Sequence, residues 1–273
     1  MTTELLRTIS FLAPGPFGRY LYERMANPQI RRTRTYEAAV LDRSTKETVI
    51  FGNYKIVTYR WHGGNKCVLL IHGWEGQAGN FAELTDALLD AGYTVLAFDA
   101  PSHGRSSRGP TSPFEFAEVV GLMVKKYAAQ YLVSHSFGSV ATTFALSQDP
   151  DLKIAKIVFL TTPDQFTERV DDFIQKFRLS GRIRSIVLDE IRRHTSHDIT
   201  KLAVSDLLKS VRVDSILIVH GADDSVIPIS RSRNVHLSRP GSRFLEIKGT
   251  GHFAILRAKE TWNAVIEFLG PLD

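Results

Sequence analysis

The chain has 273 residues, 43% of them hydrophobic and 23% charged, a balance that supports a sizeable core and excludes a disordered or fibrous polypeptide. A single cysteine, Cys67, excludes an intramolecular disulfide and a cysteine metal cluster. The net charge of +5 sits partly in two short clusters, Arg31, Arg32 and Arg34, then Arg178, Arg182, Arg184, Arg192 and Arg193; mixed as they are with apolar residues, they read as solvated helix faces, and no nucleic-acid partner is expected.

The first 36 residues, with Pro14-Gly15-Pro16, read as an N-terminal extension, packed or partly mobile. No basic segment opens the chain, and Arg7 interrupts the apolar stretch that follows, so a signal peptide is not expected. No apolar run reaches the roughly eighteen residues of a membrane helix. A cytoplasmic protein without stable membrane insertion is the expectation. Leu5, Leu6, Ile9, Phe11 and Leu12 give the extension an apolar side that fits either packing on the domain or docking to lipid.

From about residue 37 short β-branched runs alternate with helical patterns, the signature of a mainly parallel sheet with helices on its faces. Residues 35–42 and 48–61 read as two leading strands, and 67–71, 94–98, 131–134, 156–160, 215–219 and 243–247 as six more. Most are continuous apolar runs, as strands covered on both faces should be. Residues 81–89, 113–127, 137–147 and 254–269 carry helical spacing. Residues 162–213 hold amphipathic stretches and no strand. They read as a helical cap inserted between the core segments 37–161 and 214–273, with plain crossover helices as the alternative.

The strongest local signal is Leu132-Val133-Ser134-His135-Ser136-Phe137-Gly138-Ser139, an apolar strand turning sharply into a helix. It is one residue short of G-x-S-x-G, since Ser134 stands at the first glycine. Such a corner exposes the Ser136 hydroxyl and sets the Phe137 amide at a helix N-terminus. A serine needs a base to take its proton and an acid to orient that base. His252 follows the last strand in Gly249-Thr250-Gly251-His252, and the preceding strand runs into a loop with two carboxylates, Asp223 and Asp224. The order serine, acid, histidine places each group at the C-terminal end of a strand. No metal-ligand spacing, dinucleotide fingerprint or P-loop occurs, so neither cofactor nor metal is expected.

On these residues the chain resembles the α/β-hydrolase family from about residue 37 onward, the extension and the insertion falling outside the resemblance. The resemblance implies a mostly parallel sheet of about eight strands with helices on both faces and a small helical cap. The family's G-x-x-D-x-x-x-P-like acid loop fits Gly221, Asp224 and Pro228, which makes Asp224 the acid, with Asp223 beside it as the alternative; a few relatives would select Asp164 instead. Relatives with a His-Gly-x turn after the third strand use the next backbone N–H as an oxyanion donor, so His72-Gly73-Trp74 implies Trp74 N–H paired with Phe137 N–H. Asp99-Ala100-Pro101-Ser102-His103-Gly104-Arg105-Ser106 is similar to the D-x-P-G-H-G-x-S loop and is expected to hold itself by hydrogen bonds; His135 is expected to be structural.

The implied function is a serine esterase-like hydrolase of small carboxylic esters or thioesters, acting through an acyl-enzyme. Acyltransferases, perhydrolases, C–C hydrolases and a non-catalytic binding protein are the alternatives on the same fold. In the insertion, Phe166, Phe173, Phe177, Leu179, Ile183, Ile186, Val187 and Leu188 suggest an apolar acyl pocket, or else the cap's own core.

Overall fold

The computed structural model describes residues 3–29 and 32–270; Arg31 of the first basic cluster lies outside the described residues. Helices α1 (Thr3–Leu12), α2 (Pro14–Ala26) and α3 (Thr35–Asp42) precede strands β1 (Thr45–Phe51), β2 (Tyr54–Trp61) and β3 (Cys67–Ile71). Then come α4 (Ala82–Asp90), β4 (Thr94–Phe98), α5 (Pro113–Tyr127), β5 (Tyr131–His135), α6 (Phe137–Gln148) and β6 (Ile154–Leu160). Helices α7 (Glu168–Lys176), α8 (Gly181–Thr195) and the single turn α9 (Val204–Leu207) stand before β7 (Val213–Gly221). The described chain closes with α10 (Ile229–Ser238), β8 (Arg243–Ile247) and α11 (Lys259–Leu269).

The eight strands form one sheet in the order β1-β2-β4-β3-β5-β6-β7-β8, antiparallel from β1 to β4 and parallel from there on. Successive side chains of a strand point to opposite faces. Leu69 and Ile71 of β3 therefore join Val120 of α5 and Val140 of α6 in one apolar cluster. Val68 and Leu70 join Leu84 of α4 and Val265 of α11 on the other face. Each such fully buried aliphatic side chain contributes roughly 1.5–3 kcal/mol.

Two expectations for the leading strands fail. Residues 35–42 are helical, because the buried residues Glu37, Val40 and Leu41 stand at i, i+3 and i+4, and the Glu37 carboxylate accepts the Arg34 amide at 2.8 Å to start the turn. Residues 48–61 are not one strand. Gly52, at φ +52°, and Asn53 make a two-residue turn that pairs Phe51 with Tyr54 in a hairpin. Helix α10 had no sequence signal, since its buried residues are only Ser232 and Val235. By contrast α5 has the expected bounds, set by Pro113 at its start and the reciprocal capping of Ser112 and Glu115 at 3.1 and 2.9 Å.

Ahead of the sheet, α1 and α2 pack with the segment between β6 and β7. Gly18 of α2 lies so close to α8 that a Cβ there would stand 2.4 Å from Cγ2 of Ile186. Leu6, Phe17 and Leu21 thereby share a core with Ile183 and Val187.

A second close approach is that of α6 to β3. A Cβ on Gly138 would meet the carbonyl oxygens of Ile71 and His72 at 2.6 Å, and backbone cannot yield as a side chain can. Gly138→Ala is therefore expected to cost about 1–3 kcal/mol, read as a lower urea midpoint; an unchanged midpoint would mean that the crossing is looser than these distances imply.

Candidate active site

Sheet register assembles the site. Ile71 pairs with Ser134, so the turn after β3 lies beside the corner after β5, and Gly221 pairs with Ile247, so the loops after β7 and β8 are neighbours. Ser136 occupies that corner with φ 53° and ψ −125°, a conformation that costs a non-glycine residue about 1–3 kcal/mol and persists only where surroundings impose it. Its amide donates to Leu160 O at 2.9 Å, and its carbonyl accepts from Ser139 N at 2.9 Å. Gly73 comes so near that a Cβ would lie 3.1 Å from Cβ of Ser136.

Ser134, at the position where a glycine was expected, is fully buried. Its Oγ hydrogen-bonds Oγ1 of Thr142 at 2.8 Å across the β5–α6 junction. The extra hydroxyl is thus absorbed by the helix that crosses it. Ser102, the other residue at a family glycine position, adopts φ 64°, and its Oγ accepts from Gly109 N at 2.8 Å.

The structure brings His252 and Asp224 together. Nδ1 of His252 lies 2.9 Å from Oδ2 of Asp224, and both side chains are buried. The other carboxylate oxygen accepts the amides of Val226 and Ile227 at 2.7 and 2.8 Å. Burial pushes the Asp224 carboxyl up, but its hydrogen bond and charge interaction with His252, with those two amides, outweigh it and hold the group below its ordinary value. Asp223 is exposed. Asp164 is buried in another place, where its carboxylate accepts Ser205 N at 3.0 Å. Neither alternative acid meets His252 in the bonds these side chains make.

Two further histidines support the pair. His135 projects beneath the β8 loop, where its Nε2–H donates to His252 O at 2.8 Å. His220 Nε2–H donates to Ile227 O at 3.0 Å while Nδ1 meets Ser232 Oγ at 2.7 Å, which ties the acid loop to α10. The sequence reading missed His220, although its place between the apolar Val219 and Gly221 at a strand end was a signal.

The β3 and β4 loops lock in the same way. His72 accepts Ala100 N at 3.0 Å and donates to Gly73 O at 2.7 Å. His103 accepts Glu75 N at 3.1 Å and donates to Pro101 O at 2.8 Å. Asp99 takes Tyr59 Oη, Ala78 N and Arg105 N at 2.7–2.8 Å. These bonds fix Trp74, whose ring packs edge-on to Phe137 at 5.3 Å and to His103 at 5.1 Å. Phe137 opens α6, where backbone N–H groups have no partner within the helix.

Ser136 and His252 both line a cavity of about 870 Å³, together with Trp74, Phe137, Val140 and Val226. Its far wall holds Phe166 and Phe173 and, beyond what the sequence reading assigned to it, Leu21, Tyr22 and Met25 of α2. Leu179, Ile183 and Val187 are instead buried in the core. The apolar residues of the segment between β6 and β7 thus divide between pocket and packing. At the rim, Arg231 of α10 pairs with Asp172 and Glu168 of α7, while Arg169 reaches Glu75 at 3.5 Å. Burial raises the Glu168 carboxyl to about 7 against the pull of two amides and Arg231.

With this geometry in view, comparison with known proteins defines the class. A family model described as the alpha/beta hydrolase fold matches residues 66–212, over half of the chain, and the protein belongs to that family. It is 22% identical over 267 residues to an (R)-3-hydroxydecanoyl-ACP:CoA transacylase of Pseudomonas aeruginosa, covering 81% of this chain and 88% of the relative. It is also similar to the dihydrolipoyllysine-residue acetyltransferase component of the acetoin cleaving system of Cupriavidus necator, 24% identical over 247 residues. That match covers 75% of this chain but spans only 63% of the relative's length. Among solved structures, a bromoperoxidase from Bacillus anthracis superposes with a TM-score of 0.63 at 22% identity, covering 82% of this chain and 99% of that one. Among the described residues no helix is long and apolar enough to cross a membrane.

Burial lowers His135 and His103 to about 3 from an ordinary 6.5, and lowers His72 and His220 as well. Below pH 6.5 the unfolded chain takes up protons that the native state refuses, so stability is present above that pH and is lost as pH falls toward 3. The expected loss is about 1.4 kcal/mol per pH unit for each such histidine. Urea unfolding between about pH 7.5 and 5 measures it. His135→Gln should remove one proton's share of the slope, and a midpoint that does not move with pH would contradict the neutral buried state.

Proposed function

We propose that the protein is a serine hydrolase that cleaves a carboxylic ester or thioester with an apolar acyl group. The reading is carried by the His252–Asp224 contact of 2.9 Å at a cavity that Ser136 also lines. In this mechanism His252 takes the Ser136 proton as Oγ attacks the carbonyl carbon, and Asp224 stabilises the imidazolium. The amides of Trp74 and Phe137 receive the oxyanion, a contribution of a few kcal/mol for each well-placed donor. Collapse of the tetrahedral intermediate breaks the bond to the leaving group, which takes the proton from His252. Water then attacks the acyl-serine through the same base, releasing the acid and restoring Ser136.

A fluorophosphonate probe is expected to label the folded protein at Ser136. Ser136→Ala should abolish labelling and lower kcat/KM on p-nitrophenyl esters on the order of 10³-fold or more. Folded wild-type protein that resists the probe and turns over no ester or thioester would favour a binding protein instead. Across acyl chains of graded length, the apolar cavity should prefer medium chains over acetyl, mainly through KM; equal KM at every length would contradict the assigned pocket.

A second reading, acyl transfer, is favoured by the transacylase similarity. In hydrolysis water alone resolves the acyl-serine, whereas in transfer an alcohol or thiol acceptor does so, and product partition with added coenzyme A separates the two. A rise in acyl-thioester at the expense of free acid marks acyl transfer.

A further inference from the structure

The α1–α2 hairpin presents an apolar corner that the rest of the fold leaves uncovered. Phe11 and Leu12, adjacent at the end of α1, are 85% and 74% exposed, and Tyr20 on α2 is 50% exposed. Beside them lies an apolar recess of about 290 Å³ lined by Ile9, Ala13, Pro16, Phe17 and Tyr20. Two neighbouring large apolar side chains that project from a helix end beside such a recess form a surface that gains by leaving water. The same two helices carry exposed Arg7, Arg19 and Arg24 against Glu4 and Glu23, so the hairpin is weakly cationic. Tyr20 lines the recess and also the 870 Å³ cavity, with Leu6, Leu21 and Arg24. The exposed corner is therefore continuous with the wall of the candidate active site.

We propose that this hairpin docks the protein reversibly on a bilayer bearing anionic headgroups, with Phe11 and Leu12 entering the acyl boundary and the arginines meeting phosphate. Apolar anchors with neighbouring basic residues define an interfacial helix, which lies on a membrane without spanning it. Docking would set Tyr20, which lines both the recess and the cavity, at the lipid surface and give acyl chains a short apolar path to the cavity. It stands apart from the ester-cleaving reading, because its readout is sedimentation and not turnover.

The full chain is mixed with phosphatidylcholine vesicles, with or without phosphatidylglycerol, and sedimented. Wild-type protein should pellet with the anionic vesicles and release as salt rises. Phe11→Ser with Leu12→Ser should weaken this partition about tenfold or more, with an unchanged circular dichroism spectrum, and Arg7→Gln with Arg19→Gln should weaken binding to anionic vesicles. Emission from the Phe11→Trp variant should shift to the blue when those vesicles are added, a readout that does not depend on the serine variant folding. The proposal is overturned if wild type stays in the supernatant with both compositions, if the serine variant binds as wild type does, or if the emission of the Phe11→Trp variant stays fixed. A wild-type dimer that the serine variant dissolves would also overturn it, assigning the corner to a second copy of the chain.

Discussion

The approach of α6 to the end of β3 constrains everything else at the site. At Gly138 two helix-facing carbonyls, those of Ile71 and His72, leave no space for a side chain. The chain must therefore leave β5 through a corner tight enough to enter the helix at once, and Ser136 takes the positive φ that this corner demands. The strain is held by the sheet on one side and the first turn of α6 on the other. A hydroxyl so placed has little freedom to retreat, and this is what a group presented to a ligand requires.

Around this corner the loops are tied by imidazoles rather than by ion pairs. His72, His103 and His220 each bridge two backbone or hydroxyl groups, His135 ties β5 to the β8 loop through one, and burial keeps them neutral. A neutral imidazole both donates and accepts, so a single ring can bridge two segments in fixed orientation without the desolvation cost of a charge. His252 differs in hydrogen-bonding a carboxylate. Its neighbours serve as uncharged struts.

Legibility in the sequence followed burial. Strands covered on both faces, such as Cys67–Ile71 and Thr94–Phe98, were readable as apolar runs, and the loops at their ends carried the motif residues. The edge of the sheet was harder. In residues 35–42 the buried Glu37 broke the apolar pattern of a helix, and one glycine hid a hairpin turn. Asp224 rather than Asp223 was already indicated by the spacing of Gly221, Asp224 and Pro228, and the loop's turn, in which the Val226 and Ile227 amides hold one carboxylate oxygen, presents the other to His252. That α2 helps to wall the cavity had no sequence signal, because the contact joins segments more than 150 residues apart whose spacing is decided by tertiary packing alone.

That spacing has a consequence for how the pocket is built. Gly18 lets α2 lie directly against Ile186, so a side chain at that one residue would push apart a helix from before the sheet and one from within its middle. A helix pair whose closest approach is at one glycine behaves as a caliper, and one side chain added there moves a wall while the sheet loops stay where they are. The chamber's far wall and the residues at its floor are thus separately adjustable, the first where two helices outside the sheet meet and the second at the ends of the strands.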